Sequence, residues 1–160
     1  MLRNAGSPAR PVRSLVVPEP VEPGRAILQT GWAANALFGV TAVPVAAGLN
    51  SLIGAAIGVA LFLFLVAIGA FVYAFGLGVA RTTRGDNVAV SNLFFLQGSA
   101  PRPVQRQFVL LFVACLAVTA GTVAWEPFGV LVPMLPLSLA GVWAARYGTF
   151  PPRPPAARRA

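Results

Sequence analysis

Few side chains in this sequence have the chemistry that catalysis requires. General acid–base and nucleophilic catalysis usually need histidine, lysine, paired carboxylates or an activated cysteine. The chain has no histidine and no lysine, and its reactive side chains are four acids and one cysteine, namely Glu19, Glu22, Asp86, Glu126 and Cys115. No spacing places one acid beside another on an ordered element. We therefore expect no enzyme, and no metal or cofactor site.

Two polar residues are nevertheless candidates for a ligand or ion site, and the cysteine is a candidate for modification. Glu126 could hold a proton or a cation at the rim of a helix pair, but the favoured interpretation is a solvated acid at a helix N-terminus. Asn35 could contact a ligand, although an intramembrane Asn more often bonds to a neighbouring helix. Cys115 could be a redox or lipidation site, and a small packing residue is the favoured alternative.

The composition is that of a protein whose solvent includes lipid. The 160 residues are 57% hydrophobic and 10% charged, with a mean hydropathy of +0.76, whereas soluble domains have about 25% charged residues. A membrane helix needs about 20 apolar residues. The uncharged stretch 26–79 is long enough for two, with a break at the turn-forming residues 48–51. The predicted spans are 26–47, 52–79, 107–124 and 128–145.

We therefore predict an all-α membrane protein, a four-transmembrane-helix bundle made of two helical hairpins over residues 26–147. The long connection, residues 80–106, should hold a short interfacial helix across 87–97, with Asp86 as its N-cap and Gly98 as its C′ residue. This segment is too short to span, so it should lie at the membrane surface or pack under the bundle.

Two Pro/Arg-rich segments flank the predicted bundle. Residues 1–25 are expected to be a disordered arm and residues 148–160 a tail of similar composition, because proline removes hydrogen-bond donors and little apolar surface is available to fold. Four arginines precede the first span, four lie between spans two and three, and four follow span four. The positive-inside rule then places both termini and the long loop in the cytoplasm.

The use of arginine alone indicates a GC-rich genome, so the expected location is a bacterial inner membrane. Anionic lipid headgroups are the expected partners of the charges, and nucleic acid is not expected. The predicted membrane-anchoring residues, arginines and interfacial aromatics near the span ends, are Arg25, Arg81, Arg84, Arg106, Arg146, Trp125, Trp143 and Tyr147.

Small residues four apart are typical of closely packed membrane helices. Gly54 with Gly58, and Ala117 with Gly121, have this spacing. They could pack spans within one chain, which is the favoured interpretation, or associate with another chain. Pro133 and Pro136, inside the fourth span, predict a kink.

The functional expectation is a non-enzymatic accessory or scaffolding subunit that acts through helix–helix association, as a homo- or hetero-oligomer. The alternative is a small channel or carrier for a weakly charged solute. A proton-driven exporter is disfavoured because no predicted span holds an acidic or other charged residue.

Overall fold

The computed structural model describes residues 23–152, and every regular element in that range is helical. Four helices are long and apolar enough to cross a membrane, as the sequence predicts. The elements in chain order are α1 (Arg25–Ala46), a 3-10 helix (Asn50–Leu52), α2 (Ile53–Thr83), α3 (Val90–Phe94), α4 (Arg102–Thr122), a second 3-10 helix (Pro127–Leu131) and α5 (Met134–Tyr147). The predicted arm and tail lie mostly outside the described residues.

The ends of α2 and α4 differ from the predicted spans because the helices continue past the uncharged residues. α2 ends at Thr83 and carries Arg81 in its last turn, where a cation interacts favourably with the helix dipole. α4 begins at Arg102 with a proline in its first turn, where the missing N–H costs nothing.

α5 is the central element of the bundle. Its span is 61% buried within the protein, against 17% for the span of α1 and 22% for those of α2 and α4. α2 makes the most extensive contact with α5, and α1 packs mainly on α4 and α2. The apolar surface of α5 is therefore covered by protein, while the other three helices leave long apolar surfaces outside.

The face of α2 that packs inward is lined by alanine. We call Ala56, Ala60, Ala67 and Ala74 the alanine face; all four are fully buried, and Leu63 and Gly78 lie with them. Their spacing of three, four or seven residues keeps them on one side of the helix. Because these side chains are small, the backbones of α2 and α5 can approach closely.

The helix in the long connection is shorter than predicted. α3 covers five residues and its N-cap is Ala89, not Asp86. Asp86 instead forms an isolated antiparallel bridge with Pro152, so its backbone is committed to pairing with the chain after α5. Gly98 has a φ of +70° but lies four residues beyond the helix. α3 packs against α5.

The fourth span is interrupted at the position where the sequence predicts a kink. Its first part is the 3-10 helix Pro127–Leu131, and α5 starts after Pro133. Pro136 falls in the first turn of α5, where backbone N–H groups have no partner inside the helix. Pro133 therefore separates the 3-10 helix from α5, and Pro136 lies in the first turn of α5. Neither proline bends a continuous helix.

Candidate functional site

The arginines of the described chain lie at one end of the bundle, which we call the arginine end. There α1 and α4 begin and α2 and α5 finish. Arg81 donates a hydrogen bond from Nη1 to the carbonyl oxygen of Gly148 at 2.7 Å, and its guanidinium lies 5.1 Å from the centre of the Phe150 ring. A cleft of about 310 Å³ at this end is lined by Arg81, Arg84, Arg146 and Tyr147 among others.

Among the predicted anchors, the aromatic residues fall into two groups. Trp125 and Tyr147 are 53% and 41% exposed, as anchors at an interface should be. Trp143 is 2% exposed and donates its Nε1–H to the carbonyl oxygen of Pro23 at 3.0 Å. Its predicted role as a membrane anchor is therefore wrong, because a buried indole cannot reach lipid headgroups; Trp143 fixes the start of α1. Arg25, Arg84, Arg106 and Arg146 are exposed.

The predicted packing residues do not pack inside the chain. Gly54 and Gly58 are exposed, and a Cβ added at either would meet no atom within 4 Å. Ala117 and Gly121 are exposed as well, and Gly121 has the same open surroundings. The favoured interpretation, packing within one chain, is therefore wrong for both pairs. On α2 the alanine face occupies the inner side, and on α4 the pair lies on the exposed side.

Cys115 and Asn35 lie on the inner sides of α4 and α1. The Cys115 thiol is free and buried, the environment expected of a packing residue. Asn35 is half-buried, and its Oδ1 is buried without a hydrogen-bond partner among the described residues. The predicted bond from Asn35 to a neighbouring helix is therefore absent at this oxygen.

Glu126 differs most from its prediction. It lies at the end of the bundle opposite the arginines, in the turn between α4 and the second 3-10 helix. A solvated acid was expected, but the residue is 0% exposed. Neither carboxylate oxygen has a hydrogen-bond partner in the described part of the chain. A buried charged carboxylate without a partner is very costly, so this side chain needs a specific explanation.

The backbone around Glu126 folds the acid inward. The N–H of Glu126 donates to the carbonyl of Thr122 at 2.9 Å, and the N–H of Gly129 donates to the carbonyl of Glu126 at 3.3 Å. The hydroxyl of Thr119 donates to the carbonyl of Gly129 at 3.3 Å. These bonds tie the turn to the last two turns of α4, so the acid lies beneath the turn and not above it.

Gly129 allows this arrangement because it has no side chain. A Cβ at this position would lie 2.7 Å from Oε2 of Glu126 and 2.8 Å from Cζ of Phe38. Phe38, on α1, is itself fully buried. Phe38, Thr119 and Gly129 were not singled out from the sequence; the only signal was a glycine three residues after an acid, which many turns share.

Burial raises the pKa of the Glu126 carboxyl above its ordinary value. Desolvation is the larger effect, since it disfavours the charged form. The backbone N–H groups of Gly129 and Phe128 act in the opposite direction and lower the pKa. The net effect raises the pKa, so Glu126 keeps its proton to a higher pH than an exposed glutamate does.

One concave feature near the bundle core is apolar. A cavity of about 140 Å³ lies between α3, α4 and α5, lined by Phe94, Phe108 and Ala140 among others. Within residues 23–152 no group of three or more His, Cys, Asp or Glu side chains is placed to hold a metal ion.

In comparisons with known proteins, no family model, no curated protein and no solved structure matches the chain.

Proposed function

We propose that this protein is a multi-pass membrane protein that acts by association, as a non-enzymatic accessory or scaffolding subunit whose second helix receives another membrane helix. The observation that carries the proposal is a row of glycines on the outside of α2. We call Gly54, Gly58, Gly69 and Gly76 the glycine face; all four are exposed, and an added Cβ at any of them would meet no atom within 4 Å.

The glycine face lies opposite the alanine face. Two residues along an α-helix correspond to a rotation of about 200°. Gly54 and Gly58 flank Ala56 at this separation, and Gly69 and Gly76 follow Ala67 and Ala74 by two residues. One side of α2 therefore packs inward, and the opposite side carries two pairs of glycines, with the exposed Leu61 and Leu65 between the pairs.

Glycines gain little from contact with lipid chains, because they have no apolar side chain to bury. They suit contact with a second helix, because small residues let two backbones come close and gain van der Waals contacts along their length. Exposed large side chains, such as Leu61 and Leu65 on the same helix, could then pack beside the partner.

The proposed arrangement in the membrane has two helical hairpins, with the arginine end facing the cytoplasm of a bacterium and bound to anionic headgroups. α3 would lie at the cytoplasmic interface beneath the bundle. What supports this orientation is charge: within the described chain the arginines lie at one end, and the positive-inside rule assigns that end to the cytoplasm. Reporters fused after Ala160 and near Gly48 should report opposite sides, and the same side for both would contradict the topology.

Association is tested with tagged and untagged copies extracted in mild detergent, followed by cross-linking and mass spectrometry. The wild-type chain should recover a second copy or another membrane protein. Gly58→Leu should lower that recovery at least several-fold while leaving thermal stability unchanged, because the added side chain meets open space in the monomer. Ala33→Leu, at an exposed position on α1, is the control. A wild-type chain recovered only as a monomer would contradict the proposal.

The buried Glu126 favours a second candidate, a small channel or carrier. Ionisable residues within transmembrane segments are typical of ion and solute pathways, and Glu126 is buried in the turn between two such segments. The test is flux of a panel of weakly charged solutes and protons into liposomes that contain the purified protein. Flux that Glu126→Gln abolishes would support transport, and no flux above that of empty liposomes would exclude it for the panel.

A further inference from the structure

Among residues 23–152, Glu126 has no ion-pair partner and no hydrogen bond of normal geometry to its carboxyl oxygens; the nearby backbone N–H groups of Gly129 and Phe128 only partly offset the effect of burial. A buried charged carboxylate needs an ion pair or several hydrogen bonds. A Cβ added at Gly129 would lie 2.7 Å from Oε2 of Glu126 and 2.8 Å from Cζ of Phe38, so the carboxyl and the Phe38 ring lie on the same side of this glycine. A buried carboxyl beside an aromatic ring is more stable as a neutral acid than as a charged one.

The charged groups of the elements packed around Glu126 are all distant along their helices. The end that bears Glu126 carries no other charged residue in the described chain. The other titratable or charged residues on these elements are Arg25 on α1, Tyr73 and Arg81 on α2, Arg102, Arg106 and Cys115 on α4, and Arg146 and Tyr147 on α5. Among residues 23–152, no cation therefore lies at this end of the bundle to balance a carboxylate.

A second buried oxygen without a hydrogen-bond donor among the described residues lies on α1, one turn before Phe38. Asn35 precedes Phe38 by three residues, so the two lie on one side of α1, a turn apart. Its Oδ1 has no partner among the described residues. A protonated carboxyl brings an O–H donor into this region, whereas a charged one brings only acceptors. A metal ion would need several oxygen ligands held together, and a proton needs one carboxylate.

Residues next to this acid in the sequence have exposed side chains. Trp125 precedes Glu126 and is 53% exposed, and Phe128 is 42% exposed. Several backbone hydrogen bonds hold the turn that covers the carboxyl. In the described structure, the bond from Thr119 to Gly129 is the only one that a side chain of α4 makes to this turn. A small outward movement of the turn would hydrate the carboxyl.

We propose that Glu126 is a proton-binding site, which holds its proton while the turn is packed on Phe38 and releases it to water when the turn lifts. The site is reached from the side of the membrane opposite the arginine end. Release leaves a carboxylate on the protein and a proton in water, so no other reactant takes part. This inference is independent of the association proposed above.

The test is the protonation state of Glu126 in the full-length protein in lipid vesicles. Infrared difference spectra between acid and alkaline pH should contain a carboxyl C=O band that persists at pH values well above the ordinary carboxyl value of 4.5 and is missing in Glu126→Gln. A hydrophobic carbodiimide, which reacts with protonated carboxyls, should label Glu126 over the same pH range, as located by peptide mass spectrometry. Asp86, at the arginine end, is the internal comparison.

Phe38→Leu is a milder variant. It removes the ring that packs against the Gly129 turn but keeps an apolar residue on α1. Hydration should then lower the pH at which half of the Glu126 label is lost, by about one unit, since desolvation is what raises it. The proposal is overturned if Glu126 has lost its carboxyl band at neutral pH in the wild type, or if Phe38→Leu leaves the half-labelling pH unchanged in a folded protein.

Discussion

The ring of Phe94 in α3 lies flat against the ring of Phe71 in α2, with centroids 4.7 Å apart and planes 13° from parallel. On another side, the same ring faces Gly141 of α5, where an added Cβ would lie 2.6 Å from its Cε1. Phe94 thus joins the long connection to both central helices. Aromatic stacking of this kind contributes about 0.5–1.5 kcal/mol beyond the burial of area.

Gly141→Ala should destabilise the protein, because the methyl group would overlap the Phe94 ring and approach Ala74 at 3.1 Å. Overpacking of this kind costs about 1–3 kcal/mol. The measurement is the thermal unfolding midpoint in detergent. Gly39→Ala is the matched control, since its Cβ would meet nothing within 4 Å. Equal midpoints for the two variants would show that α3 is not held as described.

Arg81→Gln should loosen the arginine end. The change removes the charged hydrogen bond to Gly148 and the contact with the Phe150 ring, at a cost of about 1.5 kcal/mol for a half-exposed charged bond. Arg84→Gln, at an exposed position, should cost much less. Chemical denaturation in mixed micelles measures both, and a larger effect at Arg84 would contradict the assigned contacts.

Trp143→Phe keeps most of the buried ring but removes the donor to the Pro23 carbonyl. We expect a loss of about 1 kcal/mol, the usual contribution of one neutral hydrogen bond, together with faster amide exchange at the start of α1. Trp125→Phe, at the exposed tryptophan, is the comparison and should change neither quantity. Identical exchange in the two variants would argue against the bond.

The free energy of unfolding of the wild type should decrease as the pH rises above about 4.5, the ordinary pKa of a glutamate carboxyl. The raised pKa of Glu126 means that the folded state binds the proton more tightly than the unfolded state. Where the folded state holds more protons, the free energy of unfolding decreases with increasing pH. Glu126→Gln should remove this part of the slope, as unfolding midpoints between pH 4 and pH 8 would show.

Most of the helices could be predicted from the sequence because lipid imposes a strong length and polarity rule on spans. The uncharged stretches and the turn at Gly48 suffice for that. Which side of α2 faces inward could not be predicted, since the glycine and alanine faces are both made of small residues. The burial of Glu126 also escaped prediction, because it depends on the packing of the Gly129 turn against Phe38, a residue 88 positions before Glu126 in the chain.

The pairing of α2 with α5 has a consequence for synthesis of the chain. The alanine face is complete once Thr83 has left the ribosome, yet the helix that covers it starts at Met134. Contacts between segments so far apart in sequence form late and slowly. The nascent protein must therefore keep its first three spans in an unfinished state until the last one enters the membrane, and a factor that shields α2 during translation would raise the yield of folded protein.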